Sequence, residues 1–358
     1  MFKNYRKKLI LICGLVCFSL NGFADSLLVD NYPDRYVVVK GDTLWNISKR
    51  FLRQPWRWPE IWKNNPQVKD PHWIYPGDVL EIVFIDGQPR LRRIGSSRTV
   101  DEGNGFIRLS PRIRRNQYDE PVTSLPPEIY LHFMGKPYVI SKKELKIAPY
   151  IVSFSRDKLA ATTGDKAFVR QLKNPTGIYE IVRKGDMYKD ADTGEILGFE
   201  ARYLGTARVE RGGDPATVKI TDTKRELQLY DYLIPAAQGN SLDDFHPKAP
   251  DSSITGTIID LFDGIYNAGK YDVVVIDRGS EDNLQSGDVL DVSLKGRKVI
   301  DLRIESINRT ITLPNEYSGQ VMVFRTFDRV SFALVLESDR SVKVGDLVTS
   351  PDLTDLIQ

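Results

Sequence analysis

The segment Tyr36–Phe51, "YVVVKGDTLWNISKRF", predicts the local fold of the N-terminal part of this chain. Its first residues, 36–39, are aromatic and β-branched, which favours a β-strand. A Gly-Asp turn follows, and the side chain of Asp42 or Thr43 can cap a helix that begins at Leu44. The sequence therefore predicts a strand, a tight turn and a helix within sixteen residues.

The following residues complete a small unit. Leu44, Ile47 and Phe51 are spaced i, i+3 and i+7, so they lie on one face of the first helix. Pro59 suits the first position of a second short helix, "PEIWKNN". The stretch "NPQVKDPHWIYPGDVLEI" then supplies a loop, a turn and a closing strand. The predicted order is strand, helix, helix, strand.

This pattern resembles a LysM domain, and the layout is similar to that of LysM proteins of the Gram-negative envelope. The loop "LRQPWRWP" between the helices is longer and richer in Trp than is usual in the family. The residues that carry the resemblance are Val39, Gly41, Asp42, Thr43, Leu44, Ile47, Ile61, Asn65, Pro66, Ile74, Pro76, Gly77, Asp78, Val79 and Leu80.

The resemblance implies recognition of glycans that contain N-acetylglucosamine, chiefly peptidoglycan and in some cases chitin. Two adjacent loops would form a shallow groove, whose backbone groups pair with the acetamido group and whose apolar side chains contact the sugar. Carried over by position, the glycan-binding candidates are Gly41, Asp42, Thr43 and Leu44 in the first loop, and Asn65, Pro66, Gln67, Ile74 and Tyr75 in the second.

The tryptophans in this region divide into two groups. Trp45 follows Leu44 and faces away from the apolar helix face, so it is a candidate for the rim of the groove, as is Trp73 in the second loop. Trp58 and Trp62 are spaced i, i+4 around a helix start, which favours packing in the core. Asp42 is expected to stabilise the turn or cap the helix rather than to contact a ligand directly.

The first residues have the features of a secretory signal peptide. Four cations precede an apolar run from Leu9 to Leu20, and small residues stand at Gly22 and Ala24. Residues 1–24 are therefore predicted to be cleaved, and the protein to be exported to the periplasm or the cell wall. An uncleaved anchor is the alternative, but about twelve apolar residues are short for a span that needs about 20.

Cysteine content and charge limit the chemistry. Both cysteines, Cys13 and Cys17, lie in the predicted signal, and the bulky Ile12 and Val16 before them argue against lipidation. Cleavage would leave no disulfide and no thiol nucleophile. It would also leave 46 Lys and Arg against 48 Asp and Glu, about −2, which argues against nucleic acid as a partner. No transmembrane span is expected after cleavage.

Composition divides the remainder into domains. All five tryptophans fall between Trp45 and Trp73, which marks residues 35–84 as the LysM carbohydrate-binding domain. Residues 85–130 are rich in Arg, Pro and Gly and are predicted to be a linker, either simply solvated or in contact with anionic polymer or lipid head groups.

Short strands separated by turns predict two antiparallel β domains at 131–240 and 251–352, sandwich-like or barrel-like. A Gly-Asp pair recurs before strands or helices and is interpreted as a structural turn device. It occurs at Gly41, Gly77, Gly164, Gly185, Gly287 and Gly345.

The sequence offers little for catalysis. The histidines, His72, His132 and His246, are isolated and form no metal-binding motif, so no metal or other cofactor is expected. No serine acyl-transfer motif stands in a suitable context. A hydrolase that uses two carboxylates stays open as an alternative. A second alternative is an envelope assembly factor that uses LysM only to find its place. The main hypothesis is a non-catalytic peptidoglycan-binding protein whose β domains are a scaffold or bind an envelope protein.

Overall fold

The computed structural model describes residues 27–62, 74–96, 138–174, 176–236, 247–262, 266–300, 303 and 310–351. The predicted signal peptide, most of the predicted linker, and Asn65, Pro66, Gln67 and Trp73 lie outside these residues. In the described part no helix combines the length and apolar character needed to cross a membrane.

The N-terminal unit is a three-stranded antiparallel sheet with two short helices. Strand β2 lies in the centre and pairs with β1 on one side and β3 on the other. The predicted apolar face of the first helix is confirmed, because Leu44, Ile47 and Phe51 are all buried in one core. The elements are β1 (Arg35–Val37), α1 (Leu44–Phe51), α2 (Trp58–Trp62), β2 (Asp78–Ile85) and β3 (Gln88–Ser96).

Strand β3 lies where the sequence predicts the start of a linker. It pairs with β2 from Ile85 and Gln88 at the turn to Asp78 and Ser96 at the far end. Its arginines have partners: Arg92 pairs with Glu81, and Arg93 contacts Asp78 at 3.2 Å. The linker prediction is wrong for these residues, because the pairing with β2 that makes them a strand cannot be read from an Arg-rich and Gly-containing composition.

A first β-barrel follows. Six strands close a ring in the order β5-β6-β9-β8-β7-β10, since β10 pairs back with β5, and β4 adds to the outside of β8. The elements are β4 (Val139–Ile140), α3 (Lys142–Ile147), β5 (Tyr150–Phe154), β6 (Lys166–Arg170), β7 (Ile178–Lys189), β8 (Ile196–Arg211), β9 (Ala216–Thr223) and β10 (Tyr232–Pro235).

A second β-barrel is closed in the order β11-β12-β17-β16-β13-β18, with a two-stranded ribbon, β14 and β15, inserted between β13 and β16. The barrel form settles the choice that the sequence left between sandwich and barrel. The elements are β11 (Thr255–Leu261), β12 (Val273–Ile276), β13 (Val289–Leu294), β14 (Lys298–Ile300), β15 (Thr310–Thr312), β16 (Glu316–Thr326), β17 (Ser331–Ser338) and β18 (Leu347–Thr349).

The two barrels are copies of one topology. Numbered within each barrel from one to six, the strands of both follow the ring order 1-2-5-4-3-6, and every neighbouring pair is antiparallel. The register matches as well: Gly205 lies opposite Thr223 in the first barrel, and Gly319 lies opposite Ser338 in the second. The interiors correspond position by position, for example Ile151 with Ile258, Val169 with Ile276, Ile220 with Val335 and Leu227 with Val342.

A recurring turn leads into strands of all three units and, at Asp42, into helix α1. In each case an Asp side chain accepts a hydrogen bond from the backbone N–H three residues earlier, and the residue before the Asp has positive φ. Glycine reaches this conformation without strain. The turns end at Asp42, Asp78, Asp165, Asp231, Asp272, Asp288 and Asp346.

The turn differs from the sequence prediction at three places. Gly185 is not in such a turn, because it lies inside strand β7. Tyr230 and Tyr271 take the glycine position in two of the turns, with φ of 69° and 74°. These two were missed because a search for Gly-Asp cannot find Tyr-Asp.

The three units pack against each other around the outside of the second barrel. Trp45 and Trp56 of the N-terminal unit belong to the same apolar cluster as Phe332 of the second barrel. Lys49 of α1 forms an ion pair with Glu337 of β17. The outer face of the second barrel is therefore an internal interface.

Candidate functional site

The first loop of the candidate groove is held closed by Asp42. Its carboxylate accepts hydrogen bonds from the Val39 N–H at 2.9 Å and from the Tyr36 hydroxyl at 2.7 Å. Burial and the neighbouring Asp42 carboxylate raise the pKa of Tyr36. The guanidinium of Arg50 lies 4.6 Å from the centre of the Tyr36 ring, a cation–π contact. The hydrogen bonds of Asp42 therefore stabilise the conformation of the loop.

Helix α1 begins directly after this turn. The Thr43 hydroxyl accepts a hydrogen bond from the Asn46 N–H at 3.1 Å, so Thr43, and not Asp42, is the helix cap. The side chains of Thr43 and Leu44 are both buried, and Leu44 belongs to the core. Each of these two residues is only 3% exposed, so neither presents a side chain to solvent. Gly41 is exposed, with nothing within 4 Å of the space a side chain would fill.

The end of the second loop lies beside the first. Val38 donates its N–H to the Asp78 carbonyl at 2.9 Å, and the Gly77 N–H donates to the Val38 carbonyl at 2.7 Å. Ile74 is fully buried under the loop, whereas Tyr75 is 38% exposed. The expected adjacency of the two loops is thus present where the structure describes them.

The candidates fall into three groups. Gly41 and Tyr75 are exposed beside the paired loops. Val39, which belongs to the residues that carry the resemblance but was not a predicted contact, is 54% exposed there as well. Asp42 is partly exposed, and the side chains of Thr43, Leu44, Trp45 and Ile74 are buried. Asn65, Pro66, Gln67 and Trp73 are outside the described residues. Tyr36 was not a candidate, and nothing in the sequence paired it with Asp42.

The position of Trp45 differs from the expectation. Its side chain is only 3% exposed and lies in the cluster shared with the second barrel, so it does not form the rim of an open groove. The helix spacing indicated correctly that Trp45 faces away from Leu44. A sequence could not show that another domain covers that side. Trp58 and Trp62 are buried in the N-terminal core, as the i, i+4 spacing predicted.

A separate cleft lies between the two barrels, with a volume of about 560 Å³. Three carboxylates line it. Asp186 is paired with Arg202 at 2.7 Å, and Asp190 contacts Arg278 at 3.4 Å. Burial raises the pKa of the third, Asp260, and the nearby Glu200 and Asp186 carboxylates raise it further. Two of the three lining carboxylates therefore already have guanidinium partners.

Within the described residues there is no cluster of three or more His, Cys, Asp and Glu that could hold a metal ion. The three histidines of the sequence lie outside those residues.

Comparison with known proteins supports the interpretation of the N-terminal unit. The LysM domain family matches residues 36–83. A curated relative, "Uncharacterized protein YqbP" of Bacillus subtilis (strain 168), is 38% identical over 60 residues. The match covers 14% of this chain and 27% of that protein, so it spans about a quarter of the relative. With strand β1, two helices and strand β2 in the family order, residues 36–83 of this chain are a LysM domain.

Proposed function

We propose that this protein binds N-acetylglucosamine-containing glycan, chiefly peptidoglycan, through its LysM domain, and that it is exported to the periplasm or cell wall by residues 1–24. A LysM domain suggests glycan of the peptidoglycan or chitin type. The barrels support the domain and carry no catalytic role in this proposal. Direct glycan contacts are assigned to Gly41 and Tyr75, and to Asn65, Pro66, Gln67 and Trp73 of the second loop. The buried Thr43, Leu44 and Ile74 are assigned the support of the two loops from the core side.

The observation that carries the proposal is the pairing of the two loops. Because Val38 exchanges backbone hydrogen bonds with Gly77 and Asp78, the exposed Gly41 and Tyr75 lie on loops held side by side. A glycine with no neighbour gives a sugar close access to backbone groups. A partly exposed tyrosine offers both a ring face for sugar C–H groups and a hydroxyl for a hydrogen bond.

The contact with the second barrel gives the domain a rigid base. Trp45 and Trp56 are buried there, and Lys49 pairs with Glu337, so α1 is fixed on the side away from the core. A rigid site loses less conformational entropy when it binds. A single shallow site is still expected to be weak, and repeated glycan units or a second contact would raise the apparent affinity.

The experiment is co-sedimentation of the mature chain with purified peptidoglycan. Tyr75→Ala should weaken binding about tenfold, which corresponds to about 1.4 kcal/mol. The matched control is Phe84→Ala, an exposed aromatic at the far end of β2, which should bind as the wild type does. No soluble sugar or peptide should be released from the polymer.

Three results would contradict the proposal. Equal loss of binding in both variants would show that the loops are not the site. Unchanged binding after deletion of residues 35–84 from a chain that keeps folded barrels would move the glycan contact into the barrels. Intact Met1 on cytoplasmic protein, found by N-terminal sequencing, would refute export.

A further inference from the structure

The cleft between the two barrels is formed by an arm of the first barrel. Strands β7 and β8 continue beyond the barrel wall as a hairpin, residues 183–203. One wall of the cleft is residues 186–191 of this arm. The other wall is residues 257–260 of β11, with Val344 and Gly345 of the turn before β18. The cleft therefore depends on the packing of the two barrels, and its whole lining lies in the described part of the chain.

Asp260 is the lining carboxylate that has no cationic partner among the described residues. Its side chain is partly buried and accepts one hydrogen bond, from the Leu261 N–H at 2.8 Å. Burial raises the pKa of its carboxyl, because a charge removed from water is unfavourable unless it is paired. A cation that entered the cleft would offset this cost.

The guanidinium group closest to this wall is already shared by two other carboxylates. Arg202 donates to Asp186 and to Glu200, in both cases at 2.7 Å. Gly185 leaves the space for this arrangement, since a Cβ there would lie 2.2 Å from a Glu200 carboxylate oxygen. The arm thus brings more negative than positive charge to the cleft.

The remaining charges leave the cleft acidic. Arg278 contacts Asp190 at 3.4 Å and Asp277 at 3.1 Å. Lys189 forms no ion pair with the described residues, and strand alternation places it on the face of β7 opposite to Tyr188. Lys343 and Asp346 of the adjacent turn cancel. The other charges are six carboxylates, Asp186, Asp190, Glu200, Asp260, Asp277 and Asp282, against three cations, Lys189, Arg202 and Arg278.

Tyr188 adds a polar group that no described residue satisfies. The side chain is only 3% exposed, and its ring packs against the ring of Phe332. Its hydroxyl has no hydrogen-bond partner among the described residues. Burial raises the pKa of Tyr188, and the Glu200 and Asp260 carboxylates raise it further, so the hydroxyl faces the acids of the cleft. This hydroxyl is free to accept a hydrogen bond from a ligand.

We propose that this cleft binds an aliphatic primary ammonium group, the group carried by the side chains of lysine and other diamino acids. The ammonium group donates to the Asp260 carboxylate and to the Tyr188 hydroxyl, and its carbon chain lies along Ile259 and Val344. An ammonium group has three donors and no acceptor, which matches these two oxygen-bearing groups. The volume of about 560 Å³ suits a small ligand.

The cation is an organic one, because the described residues contain no group of three or more His, Cys, Asp and Glu that could hold a metal ion. The site is also separate from the glycan site. No residue of the cleft belongs to the LysM loops, so the ammonium ligand binds whether or not a glycan is bound.

The test is a ligand-observed NMR titration of the full chain with L-lysine. L-norleucine, which has the same carbon chain without the ammonium group, is the ligand control. Lysine should bind saturably, and norleucine should not bind in the same concentration range. Asp260→Asn should weaken lysine binding by about tenfold or more, since the charged acceptor is lost. The matched control is Asp339→Asn, an exposed acid outside the cleft, which should leave the affinity unchanged.

Tyr188→Phe separates the hydroxyl from the ring. The variant keeps the packing against Phe332 and should have the melting temperature of the wild type, because the hydroxyl has no partner to lose. It should bind lysine about threefold more weakly, the scale of one net hydrogen bond. Equal binding of norleucine, an affinity that Asp260→Asn or Tyr188→Phe leaves unchanged, or an equal loss in Asp339→Asn would each overturn the proposal.

A second arm identifies the source of the amine. Weaker co-sedimentation with peptidoglycan whose primary amines have been acetylated would assign the ligand to the polymer, and equal co-sedimentation would assign it to a free amine or amino acid. Tyr75→Ala should leave the lysine titration unchanged. Failure of this proposal is therefore distinguishable from failure of glycan binding.

Discussion

The two barrels have the same strand order and matching interiors, yet their outer faces are opposite in character. On the second barrel the outward residues of strands two, three, four and five are apolar and buried, and at the equivalent positions of the first barrel polar or exposed residues predominate. The pairs are Val273 and Lys166, Val289 and Ile178, Met322 and Arg208, Phe324 and Glu210, Phe332 and Thr217, and Leu334 and Lys219.

This difference shows how one topology serves two positions in the molecule. In both copies apolar residues fill the interior of a closed ring of strands, and a closed ring leaves no free sheet edge. The outer face depends on the neighbours. The second barrel receives the LysM domain on one part of its surface and the arm of the first barrel on another, so its outer residues act as core. The first barrel presents its equivalent face to water.

The largest effect is expected at the equivalent outward positions Phe332 and Thr217. Phe332 is buried and contacts the rings of Tyr188, Phe262 and Phe324. Phe332→Ala should lower the free energy of unfolding by about 3–5 kcal/mol, because a cavity is left among aromatic groups. Thr217→Ala should change it by less than about 0.5 kcal/mol. Urea denaturation measures both, and equal effects would refute the difference between the two outer faces.

A feature common to both barrels is a close backbone approach at Gly205 and Gly319. A Cβ there would lie 2.2 Å from the Asp222 carbonyl oxygen and 2.1 Å from that of Glu337. Each Gly→Ala substitution should destabilise its barrel by about 1–3 kcal/mol, as overpacking does. Gly319→Ala should cost more, because φ at this position is +156°. Thermal unfolding of the two variants gives the comparison, and a neutral result at either position would contradict the shared geometry.

The contacts of the turn before the sixth strand also differ between the two barrels. Asp231 is buried and accepts hydrogen bonds from the Arg183 guanidinium at 2.8 and 2.9 Å, whereas Asp346 has the turn contact to the Lys343 N–H at 2.8 Å. Asp231→Asn should destabilise by about 1–3 kcal/mol, since a buried charged hydrogen bond is lost. Arg183→Lys is the control that keeps the charge, and chemical denaturation should rank it between the wild type and Asp231→Asn.

The smallest effect is expected at Asp346. Burial raises the pKa of its carboxyl above the ordinary value. A raised folded-state pKa favours the folded state below the unfolded pKa, and that contribution is lost as pH rises through the folded pKa. Asp346→Asn keeps an oxygen for the Lys343 N–H and removes the buried charge. The variant should therefore gain stability at neutral pH, by less than about 1 kcal/mol, the scale of one net hydrogen bond.

The pH dependence is the check on this sign. The gain of Asp346→Asn over the wild type should disappear as the pH falls below the raised pKa, where the wild-type carboxyl is protonated as well. Melting curves at neutral pH and near pH 3 measure it. A gain that is larger at low pH would show that the carboxylate is stabilised in the folded protein.

Local chemistry in the sequence determined the LysM domain and the β character of the remainder. The spacing of Leu44, Ile47 and Phe51 specified the buried face of α1, and most Gly-Asp pairs marked turns, because both depend on residues close in the chain. The same reasoning placed Trp58 and Trp62 in the core. These predictions needed no knowledge of distant segments.

Only the tertiary structure determined which surface of one unit is covered by another. The sequence correctly predicted that Trp45 faces away from the N-terminal core, but its burial results from the position of the second barrel. The pairing of β3 with β2 turned an Arg-rich stretch into a strand, and the common ring order of the barrels came from contacts between strands far apart in sequence. A side chain's periodicity fixes the face on which it lies, whereas its exposure depends on long-range packing that no local pattern encodes.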